Sequence, residues 1–186
     1  MKQNRRKIAF AKRNQIPAEK RAEKSAKIAE YILQSEAYRQ TARVFSYVSM
    51  GTEVETRELL RQALRDGKIV AVPKTEKNRK MFFLEICSLA ELQEGRFGVW
   101  EPIGEKDAAL VPAAGDLFLV PGVLFDRKKN RMGYGGGYYD TYFETYKGYR
   151  KIGLAFSEQI SEEIPIEETD VPLDDIVTEN GWEESR

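Results

Sequence analysis

The hydrophobic pattern of the chain alternates between helical spacing and short apolar runs. Residues 2–14 are helix-compatible, and a second helix is predicted to begin at Pro17 and to extend to about Ser35. Apolar residues in this second helix recur at helical spacing and predict a face that contacts the core; they are Ala22, Ala26, Ala29 and Leu33, with Ile28 and Ile32 beside them. The N-terminal segment is therefore predicted to be helical up to Ser35.

Short apolar runs follow, and each predicts a strand because it is bounded by polar or glycine-containing segments. These runs are 42–48, 68–73, 81–87, 116–121, 151–156 and 176–179. A helix from Val54 to Asp66, ended by Gly67, is predicted between the first two runs. Residues 88–95 predict one or two helical turns. The run 116–121 is almost continuously apolar, which is typical of a sheet buried on both faces.

This alternation of strands and helices predicts the α/β class, as a three-layer α/β/α sandwich with a mainly parallel, Rossmann-like central sheet. The chain has 186 residues, 41% of them hydrophobic, which suits one domain over residues 1–186 with an acidic tail from about residue 180. Open α/β sheets bind ligands at the carboxyl ends of their strands. The polar segment 49–56, which follows the first predicted strand, is therefore expected near a ligand.

The segment 121–140, PGVLFDRKKNRMGYGGGYYD, contains four of the fourteen glycines within positions 133–137. It follows an apolar strand and precedes an aromatic, helix-compatible segment. Glycine lets backbone N–H groups come close to a ligand and adopts positive φ without strain. A helix that begins after the glycines would present unpaired N–H groups and a partial positive charge to an anion. The segment therefore favours a phosphate-binding loop.

Two charged residues flank the glycines. Arg131 precedes them and adds a planar cation, while Asp140 falls in the predicted first helical turn. A carboxylate beside a bound phosphate repels it unless a divalent cation lies between them, and Mg²⁺ is the usual bridge. Glycine content alone supports a second interpretation equally well, in which a turn joins a strand to a helix and Asp140 complements the helix dipole. The G-x-x-x-x-G-K-[ST] pattern does not occur, and Tyr138 replaces the third glycine of G-x-G-x-x-G.

The helix after the glycines is predicted to pack against the core through an aromatic face. Tyr139, Tyr142, Phe143 and Tyr146 recur at helical spacing and form this face. Tyr138 lies off the face and next to the glycines, so it is the better candidate for contact with a ligand.

Residue usage narrows the possible chemistry. The chain has no histidine and one cysteine, which excludes an internal disulfide, histidine metal sites and histidine-based triads. Cys87 lies in the apolar segment FFLEICSL and is interpreted as a small buried hydrophobic residue rather than a nucleophile. Catalysis must then depend on carboxylates, Arg, Lys, Tyr, backbone groups and bound metal, which favours positioning and phosphoryl transfer.

A net charge of zero hides a strong asymmetry. Residues 1–27 carry ten Lys and Arg against two Glu, for +8, and residues 158–186 carry eleven acidic residues against one Arg, for −10. A basic segment suggests nucleic acid, but this one lacks interleaved aromatic residues and is interpreted as a solvated helix face, so no nucleic-acid partner is expected. The acidic segment either packs near the basic one or only increases solubility.

The sequence offers no signal for a membrane or for secretion. Apolar runs fall well short of the ~20 residues that a membrane-spanning helix needs. The N-terminal residues MKQNRRKIAF lack the apolar region of a signal peptide. A cytoplasmic protein without membrane association is expected.

The order Pro-Gly-Val-Leu-Phe-Asp-Arg followed by Arg-Met-Gly-Tyr-Gly-Gly-Gly-Tyr-Tyr-Asp resembles the signature of the 5-formyltetrahydrofolate cyclo-ligase family, also called 5,10-methenyltetrahydrofolate synthetases. The resemblance extends from Lys2 to about Thr178. It implies ATP-dependent cyclisation of 5-formyltetrahydrofolate to 5,10-methenyltetrahydrofolate, with release of ADP and phosphate. ATP as co-substrate, Mg²⁺ as cofactor and small molecules as the only partners are implied with it, in a monomer or a homodimer.

The resemblance also implies roles for individual residues. Arg131 and Asp140 would be the catalytic residues, and Asp140 and Asp170 would hold the metal. The implied ATP-binding residues are Lys2, Arg6, Arg131, Met132, Gly133, Tyr134, Gly135, Gly136, Gly137, Tyr138 and Tyr139. The implied folate-binding residues are Val48, Glu53, Trp100, Tyr134, Gly135, Gly136, Gly137 and Tyr138.

Several of these assignments have alternatives. Glu55 is the second candidate for the folate-binding acid, and Asp174 and Asp175 lie close in sequence to the candidate metal ligand Asp170. Trp100 and Phe97 are candidates for stacking on a folate ring, although large aromatic residues belong to the core more often.

The chain departs from the family pattern at two positions. Lys129 stands where relatives commonly have glycine, and Thr169 stands where many have histidine. Two other classes of function share the predicted fold. One is an enzyme similar to sugar-phosphate isomerases or CoA-transferases, and the other is an ATP-binding module without turnover.

Overall fold

Helices and strands alternate along the chain in the computed structural model, which describes residues 2–95 and 98–184. The α-helices in this part are α1 Lys2–Gln15, α2 Ala18–Gln34, α3 Glu36–Gln40, α4 Arg57–Arg65 and α5 Tyr138–Thr145. The strands are β1 Arg43–Ser46, β2 Ile69–Thr75, β3 Met81–Ile86, β4 Leu92–Glu94, β5 Trp100–Pro102, β6 Leu117–Val120, β7 Leu124–Asp126, β8 Arg131–Met132, β9 Arg150–Leu154, β10 Ile160–Ser161, β11 Asp175–Thr178 and β12 Gly181–Trp182.

The central sheet has seven strands in the order β12-β11-β9-β6-β1-β2-β3. Its five inner strands are parallel, and the two edge strands β3 and β12 run antiparallel to their neighbours. Counted in chain order, the parallel strands follow the doubly wound order 2-1-3-4-5, in which the chain changes direction between β1 and β6. The predicted α/β class with a mainly parallel sheet is confirmed.

Both faces of the sheet are buried, as a three-layer sandwich requires. Successive residues point to opposite faces, so Val44 and Leu117 contact the layer of α2, α3 and α4, while Phe45 and Phe118 face the layer that contains α5. The rings of Phe45 and Phe118 stack with centroids 4.5 Å apart. These strands are apolar on both sides because neither face is exposed to water.

The ends of the helices follow local hydrogen bonding. Ser35 ends α2 and begins α3, where its hydroxyl accepts a hydrogen bond from the Tyr38 N–H at 3.1 Å. Helix α4 begins at Arg57 rather than at the predicted Val54, since Val54 is buried in an irregular segment and its carbonyl accepts a hydrogen bond from Tyr47 Oη. The segment 88–95 forms one 3₁₀ turn and then strand β4, so of the one or two helical turns predicted the structure has one.

Cys87 corrects another expectation. It is exposed, not buried. Ile86 precedes it and is buried, so the two-residue period of β3 turns the next side chain to the opposite side at the end of an edge strand.

Lys129 adopts a φ of 65°, in the left-handed region that favours glycine. The turn between β7 and β8 therefore keeps a glycine-type conformation despite the side chain. The Lys129 N–H donates to the Asp126 carbonyl at 2.9 Å, and its Nζ donates to the Asp174 carbonyl at 2.5 Å.

The basic and acidic segments contact each other, as one of the two interpretations of the charge asymmetry predicted. Lys24 of α2 forms an ion pair with Glu179 at 2.7 Å, and Lys2 of α1 forms one with Asp170 at 2.6 Å. The first two helices are thereby fixed to the C-terminal part of the chain. No helix in the described ranges has both the length and the apolarity needed to cross a bilayer.

Candidate functional site

A cavity of about 870 Å³ opens at the carboxyl ends of β1 and β6, where the strand order changes direction. The segment after β1 contributes Tyr47 and Val48, and Pro121 follows β6. The connections that follow β1 and β6 run to opposite sides of the sheet and leave a crevice between them. Doubly wound sheets bind ligands in such a crevice. The volume lies in the range of pockets that bind small molecules and cofactors.

The glycine loop 133–137 forms one wall of the cavity. Gly135 and Gly137 have φ of 100° and 71°, so both positions need the conformational freedom of glycine. Gly137 immediately precedes α5, and no side chain caps the helix at this end. The first backbone N–H groups of α5 therefore remain available to an anion, as the sequence predicted for a phosphate-binding loop.

Arg131 and Asp140 form an ion pair at the base of this loop. Strand β8 places Arg131 and the first turn of α5 places Asp140, so that Nη2 lies 2.9 Å from Oδ1. The Arg131 side chain is only 3% exposed, and its Cζ lies 5.5 Å from the centre of the Tyr139 ring. Asp140 Oδ1 also accepts the Val171 N–H at 3.4 Å, whereas Oδ2 makes no hydrogen bond within the described residues.

Lys2 and Asp170 lie on another side of the cavity. The Lys2 Nζ is 2.6 Å from Asp170 Oδ2 and 3.1 Å from Glu167 Oε1. Burial opposes protonation, but hydrogen bonds to the two carboxylates outweigh it and raise the pKa of Lys2 above its ordinary value. This ammonium group is therefore charged and oriented by acidic neighbours.

Arg6 contacts the glycine loop directly. Its Nε donates to the Gly133 carbonyl at 2.9 Å, and a Cβ atom placed on Gly135 would lie 3.4 Å from its Nη1. Helix α1 thus carries two cations, Lys2 and Arg6, to the cavity from positions one helical turn apart.

Glu53 is held by a network that includes a buried cation. Its carboxylate accepts hydrogen bonds from Tyr134 Oη and from the Met50 N–H at 2.9 Å. Arg13, which is 4% exposed, donates to Tyr134 Oη at 2.9 Å. Burial raises the pKa of Glu53, and the hydrogen bonds from Tyr134 and Met50 partly offset that rise. A half-buried acid with a perturbed pKa in a cleft is typical of a functional site.

The structure brings nearly all predicted site residues to this one cavity. Those that line it are Lys2, Arg6, Val48, Glu53, Arg131, Met132, Gly133, Tyr134, Gly135, Gly136, Gly137, Tyr138, Tyr139, Asp140 and Asp170. Trp100 is not among the lining residues; its ring lies 5.4 Å from the Arg57 guanidinium carbon and is 39% exposed. Phe97 lies outside the described residues.

The alternatives left open by the sequence fall elsewhere. Glu55 accepts hydrogen bonds from Ser49 Oγ and from the Arg57 N–H and does not line the cavity. Asp174 and Asp175 lie at the amino end of β11, whereas the cavity lies at the carboxyl ends of the parallel strands.

The sequence did not predict several residues of the site, and three of them bear on its chemistry. Arg13 shares a helical face with Lys2 and Arg6, at spacings of four and seven residues, and this periodicity was the available signal. Arg13 reaches the site through its hydrogen bond to Tyr134, whereas Tyr47 and Arg79 line the cavity itself. The hairpin between β2 and β3 brings Arg79 there through a pairing that local patterns do not specify.

The donor set fits Mg²⁺ only in part. No cluster of three or more acidic, cysteine or histidine ligands occurs in the described ranges. Asp140 and Asp170 both line the cavity, and each keeps one carboxylate oxygen outside its ion pair. Mg²⁺ is commonly held by one or two carboxylates together with water and substrate phosphates. The residues therefore fit an ion shared with a bound phosphate and not an ion held by protein alone.

The fold and the site define a doubly wound α/β protein whose ligand cavity is walled by a glycine loop and a helix N-terminus. The model of the 5-formyltetrahydrofolate cyclo-ligase family matches residues 1–179, and the chain belongs to this family of enzymes. The sequence-based resemblance to that family is confirmed.

Similar proteins from distant organisms agree with this assignment. The 5-formyltetrahydrofolate cyclo-ligase of Mus musculus is 30% identical, with 89% of this chain and 87% of the relative covered. That of Haemophilus influenzae is 33% identical over 75% of this chain and 76% of the relative. The NMR structure of the Aquifex aeolicus 5,10-methenyltetrahydrofolate synthetase superposes with a TM-score of 0.86 at 31% identity, covering 100% of this chain and 93% of the other.

Proposed function

We propose that this protein catalyses the ATP- and Mg²⁺-dependent cyclisation of 5-formyltetrahydrofolate to 5,10-methenyltetrahydrofolate, with release of ADP and phosphate. One observation carries the proposal: in a member of the cyclo-ligase family, the residues expected to bind phosphate and those expected to bind folate, except Trp100, line the same cavity. Both substrates must meet in one cavity if a phosphoryl group passes directly between them.

The chemistry explains the need for ATP. Ring closure must expel the formyl oxygen, which is a very poor leaving group as hydroxide. Transfer of the γ-phosphoryl group to this oxygen breaks the bond between the γ-phosphorus and the ADP oxygen and forms an activated phosphate ester. The folate N10 then attacks the formyl carbon, phosphate leaves, and N10 loses its proton, so that atoms and charge balance.

The glycine loop and the cations around it are proposed to bind the triphosphate. Backbone N–H groups of residues 133–138 would donate to its oxygens at the N-terminus of α5, and Arg6 and Lys2 would add positive charge. Arg131 is buried and paired with Asp140, so its role is to hold that carboxylate and the base of the loop in place while contacting phosphate. Donors fixed before the reaction stabilise developing charge without reorganisation.

Asp140 and Asp170 are proposed to hold Mg²⁺ together with the phosphates. The ion would neutralise charge on the transferred phosphoryl group. In each of these two residues one carboxylate oxygen is held by an ion pair, to Lys2 or to Arg131, and within the described ranges the other oxygen is free to bind the ion. Binding of Mg²⁺ would therefore need no change of fold.

Folate is proposed to bind beside Glu53. A carboxylate held by Tyr134 and the Met50 N–H accepts hydrogen bonds from ring N–H groups of the substrate and fixes its orientation. Val48 would supply an apolar contact, and Tyr138, which directly follows the glycine loop, lines the same cavity. No protein nucleophile is required, because phosphate itself activates the formyl oxygen.

The deciding experiment mixes purified protein with Mg-ATP and 5-formyltetrahydrofolate and follows the near-ultraviolet absorbance of the methenyl product. We expect product formation only when both substrates are present. Asp140→Asn is expected to lose at least about 100-fold in turnover, since it removes a proposed ligand of the Mg²⁺ that would neutralise charge on the transferred phosphoryl group. Asp174→Asn, an acid outside the cavity, is the matched control and should retain activity.

Folded wild-type protein that forms no methenyl product would refute the proposed function. Full turnover in Asp140→Asn would instead limit this carboxylate to a structural role at the helix start. We also propose that the enzyme is cytoplasmic and that its partners are small molecules. It would act as a monomer or as a homodimer. Light scattering during size-exclusion chromatography distinguishes these two states.

A further inference from the structure

The hairpin between β2 and β3 ends in a turn with an unusual residue. Asn78 and Arg79 occupy its two central positions with φ of 61° and 60°. The Glu76 N–H donates to the Lys80 carbonyl at 2.8 Å and closes the hairpin. Turns with two positive φ angles favour glycine at the second central position. A bulky side chain is strained in this conformation, so Arg79 occupies a position where glycine would be more stable.

Arg79 also lines the cavity. A Cβ atom placed on Gly137 would lie 3.4 Å from Arg79 Cδ and 3.7 Å from its Nη1. Gly137 is the residue that precedes α5, so the guanidinium lies beside the uncapped N-terminus of that helix. Arg6 contacts the same loop at Gly135. The glycine loop therefore has one arginine at its centre and another at its end.

Four cations line the cavity in the part of the chain that the structure describes, and they differ in how far their charges are already neutralised. Lys2 is paired with Asp170, and Arg131 is paired with Asp140. Arg6 donates to a neutral carbonyl. Arg79 is exposed and pairs with no carboxylate within residues 2–95 and 98–184. A cation that no carboxylate neutralises attracts a bound polyanion more strongly than a cation already held in an ion pair. Arg79 is such a cation.

We infer that Arg79 binds the terminal phosphate of the nucleotide and stabilises its charge during transfer. This inference rests on the proposed function. The terminal phosphate is the specific target because Gly137 lies three residues before Asp140, a residue proposed to hold the Mg²⁺ that would neutralise the terminal phosphates. The planar guanidinium suits two phosphate oxygens at once. The backbone of Arg79 keeps a strained conformation at the wall of the cavity, and such strain is typical of residues with a functional role.

The principal test is Arg79→Gly, which separates stability from function. Glycine fits the turn, so we expect an unchanged or higher melting temperature. Turnover should nevertheless fall about 10- to 100-fold, in line with the loss of a hydrogen bond between charged groups. Affinity for a non-hydrolysable ATP analogue with Mg²⁺, measured by calorimetry, should fall by a similar factor, while affinity for Mg-ADP changes little. Arg79→Lys should recover part of both losses.

Matched controls come from the same turn. Lys77→Gln and Lys80→Gln each remove one positive charge from exposed residues that do not line the cavity. Both should retain the turnover and the nucleotide affinity of the wild type. Arg79→Gln repeats the loss of charge in a side chain that keeps much of its length.

The outcomes distinguish this inference from the proposed function. If the wild type forms methenyl product while Arg79→Gly and Arg79→Gln bind the ATP analogue normally, the role of Arg79 is wrong and the proposed function stands. An effect confined to the Michaelis constant for the folate substrate would show that Arg79 binds a folate carboxylate and would likewise overturn the inference. Inactive wild-type protein that still loses ATP affinity on Arg79 substitution would refute the function but support the phosphate contact.

Discussion

At the scale of single residues, the cavity depends on charged groups that hold one another in place. Arg13 is buried beneath Tyr134, the Phe10 ring lies 5.5 Å from the Tyr134 ring, and Tyr134 in turn donates to Glu53. Helix α1 therefore acts on the proposed folate position through a tyrosine of the glycine loop. A hydrogen-bond network of this kind fixes an acid more firmly than one contact does.

Tyr134→Phe tests this network through pH. The Tyr134 hydroxyl favours the ionised form of Glu53, so its removal should raise further a pKa that burial already raises. If the ionised form binds folate, its binding is lost as pH falls through that pKa, and this loss should move to higher pH in the variant. We expect the Michaelis constant for folate to rise about 5- to 10-fold at pH 7, from the loss of one hydrogen bond to a charged group.

Measurement of this Michaelis constant from pH 5 to pH 8 checks the expectation. Tyr146→Phe, on the C-terminal side of α5 but outside the cavity lining, is the control and should follow the wild type. Identical pH profiles for Tyr134→Phe and the wild type would show that the Glu53 carboxylate does not depend on Tyr134.

Residue identities in the glycine segment predicted the cavity wall well, because glycine, arginine and aspartate are needed there for local reasons. Arg13 and Arg79 were harder to predict. Arg13 looks like one of ten cations in the first 27 residues until its burial is known. Arg79 belongs to a charged loop, TEKNRK, and only the pairing of β2 with β3 brings it to the cavity.

At the scale of elements, the first helices are fastened to the end of the sheet by ion pairs. Lys24 of α2 contacts Glu179 at 2.7 Å, and the Glu179 side chain is only 8% exposed. Ser157 donates to the same carboxylate through its hydroxyl at 2.6 Å and through its N–H at 3.0 Å. A carboxylate that is this well satisfied stabilises the attachment of α2 when it is ionised.

Lys24→Met should lower the free energy of unfolding by about 1–2 kcal/mol at pH 7, because a largely buried carboxylate loses its cation. Burial raises the pKa of Glu179, but Lys24 and Ser157 outweigh it and hold the pKa below the ordinary 4.5. The stabilisation is therefore complete above pH 4.5 and is lost as pH falls through the lower folded-state value. Urea unfolding measured at pH 7 and at pH 3 should show that the difference in free energy of unfolding between the variant and the wild type is smaller at pH 3.

Lys20→Met provides the comparison on the same helix. Its partner Glu23 is 54% exposed, and exposed pairs contribute about 0–1 kcal/mol, so this variant should remain close to the wild type. Equal losses in the two variants at both pH values would contradict a specific role for Glu179.

Whether a segment forms a helix or a strand was predictable where a hydrophobic pattern extends over many residues. The residues at which an element begins and ends were harder to predict. The spacing of apolar residues in α2 and the run that forms β6 indicated both elements directly. The start of α4 was predicted three residues too early because a tertiary hydrogen bond to the Val54 carbonyl keeps that segment irregular. Strands β4 and β5 were not predicted, since each has only three residues and is formed by pairing with the other.

At the scale of the whole molecule, the cavity unites segments that are distant in sequence. It takes Lys2 from α1, Glu53 from the segment after β1, the loop 133–137 and Asp170. A ligand that contacts all four segments stabilises the folded protein, since these contacts are lost on unfolding.

Mg-ATP should therefore raise the melting temperature. At about 100 times the dissociation constant, the added stability is about 2.7 kcal/mol, which corresponds to about 5–10 °C for a chain of this size. Differential scanning calorimetry with and without Mg-ATP measures it. Asp140→Asn should show a smaller shift, and an unchanged melting temperature in the wild type at saturating Mg-ATP would exclude binding in the cavity.

The fold class followed from the alternation of strands and helices, but the order of the strands did not. Apolar runs such as those of β1 and β6 carry no information on which strand lies beside which. The neighbours are decided by crossover connections and by packing on both faces, which involve the whole chain. The cavity could be expected at strand ends, and only the order locates it between β1 and β6.

Lys2 Nζ and Asp170 Oδ2 lie 2.6 Å apart on one side of the cavity, although 168 positions separate the two residues in the chain. A polypeptide emerging from the ribosome can fold its early helices and first strands long before Asp170 is synthesised. The glycine loop 133–137 is also absent while only these early elements exist, so the cavity then has only its N-terminal lining. Under the proposed function, a nascent polypeptide that still lacks Asp170 would have an incomplete cavity and would not consume nucleotide.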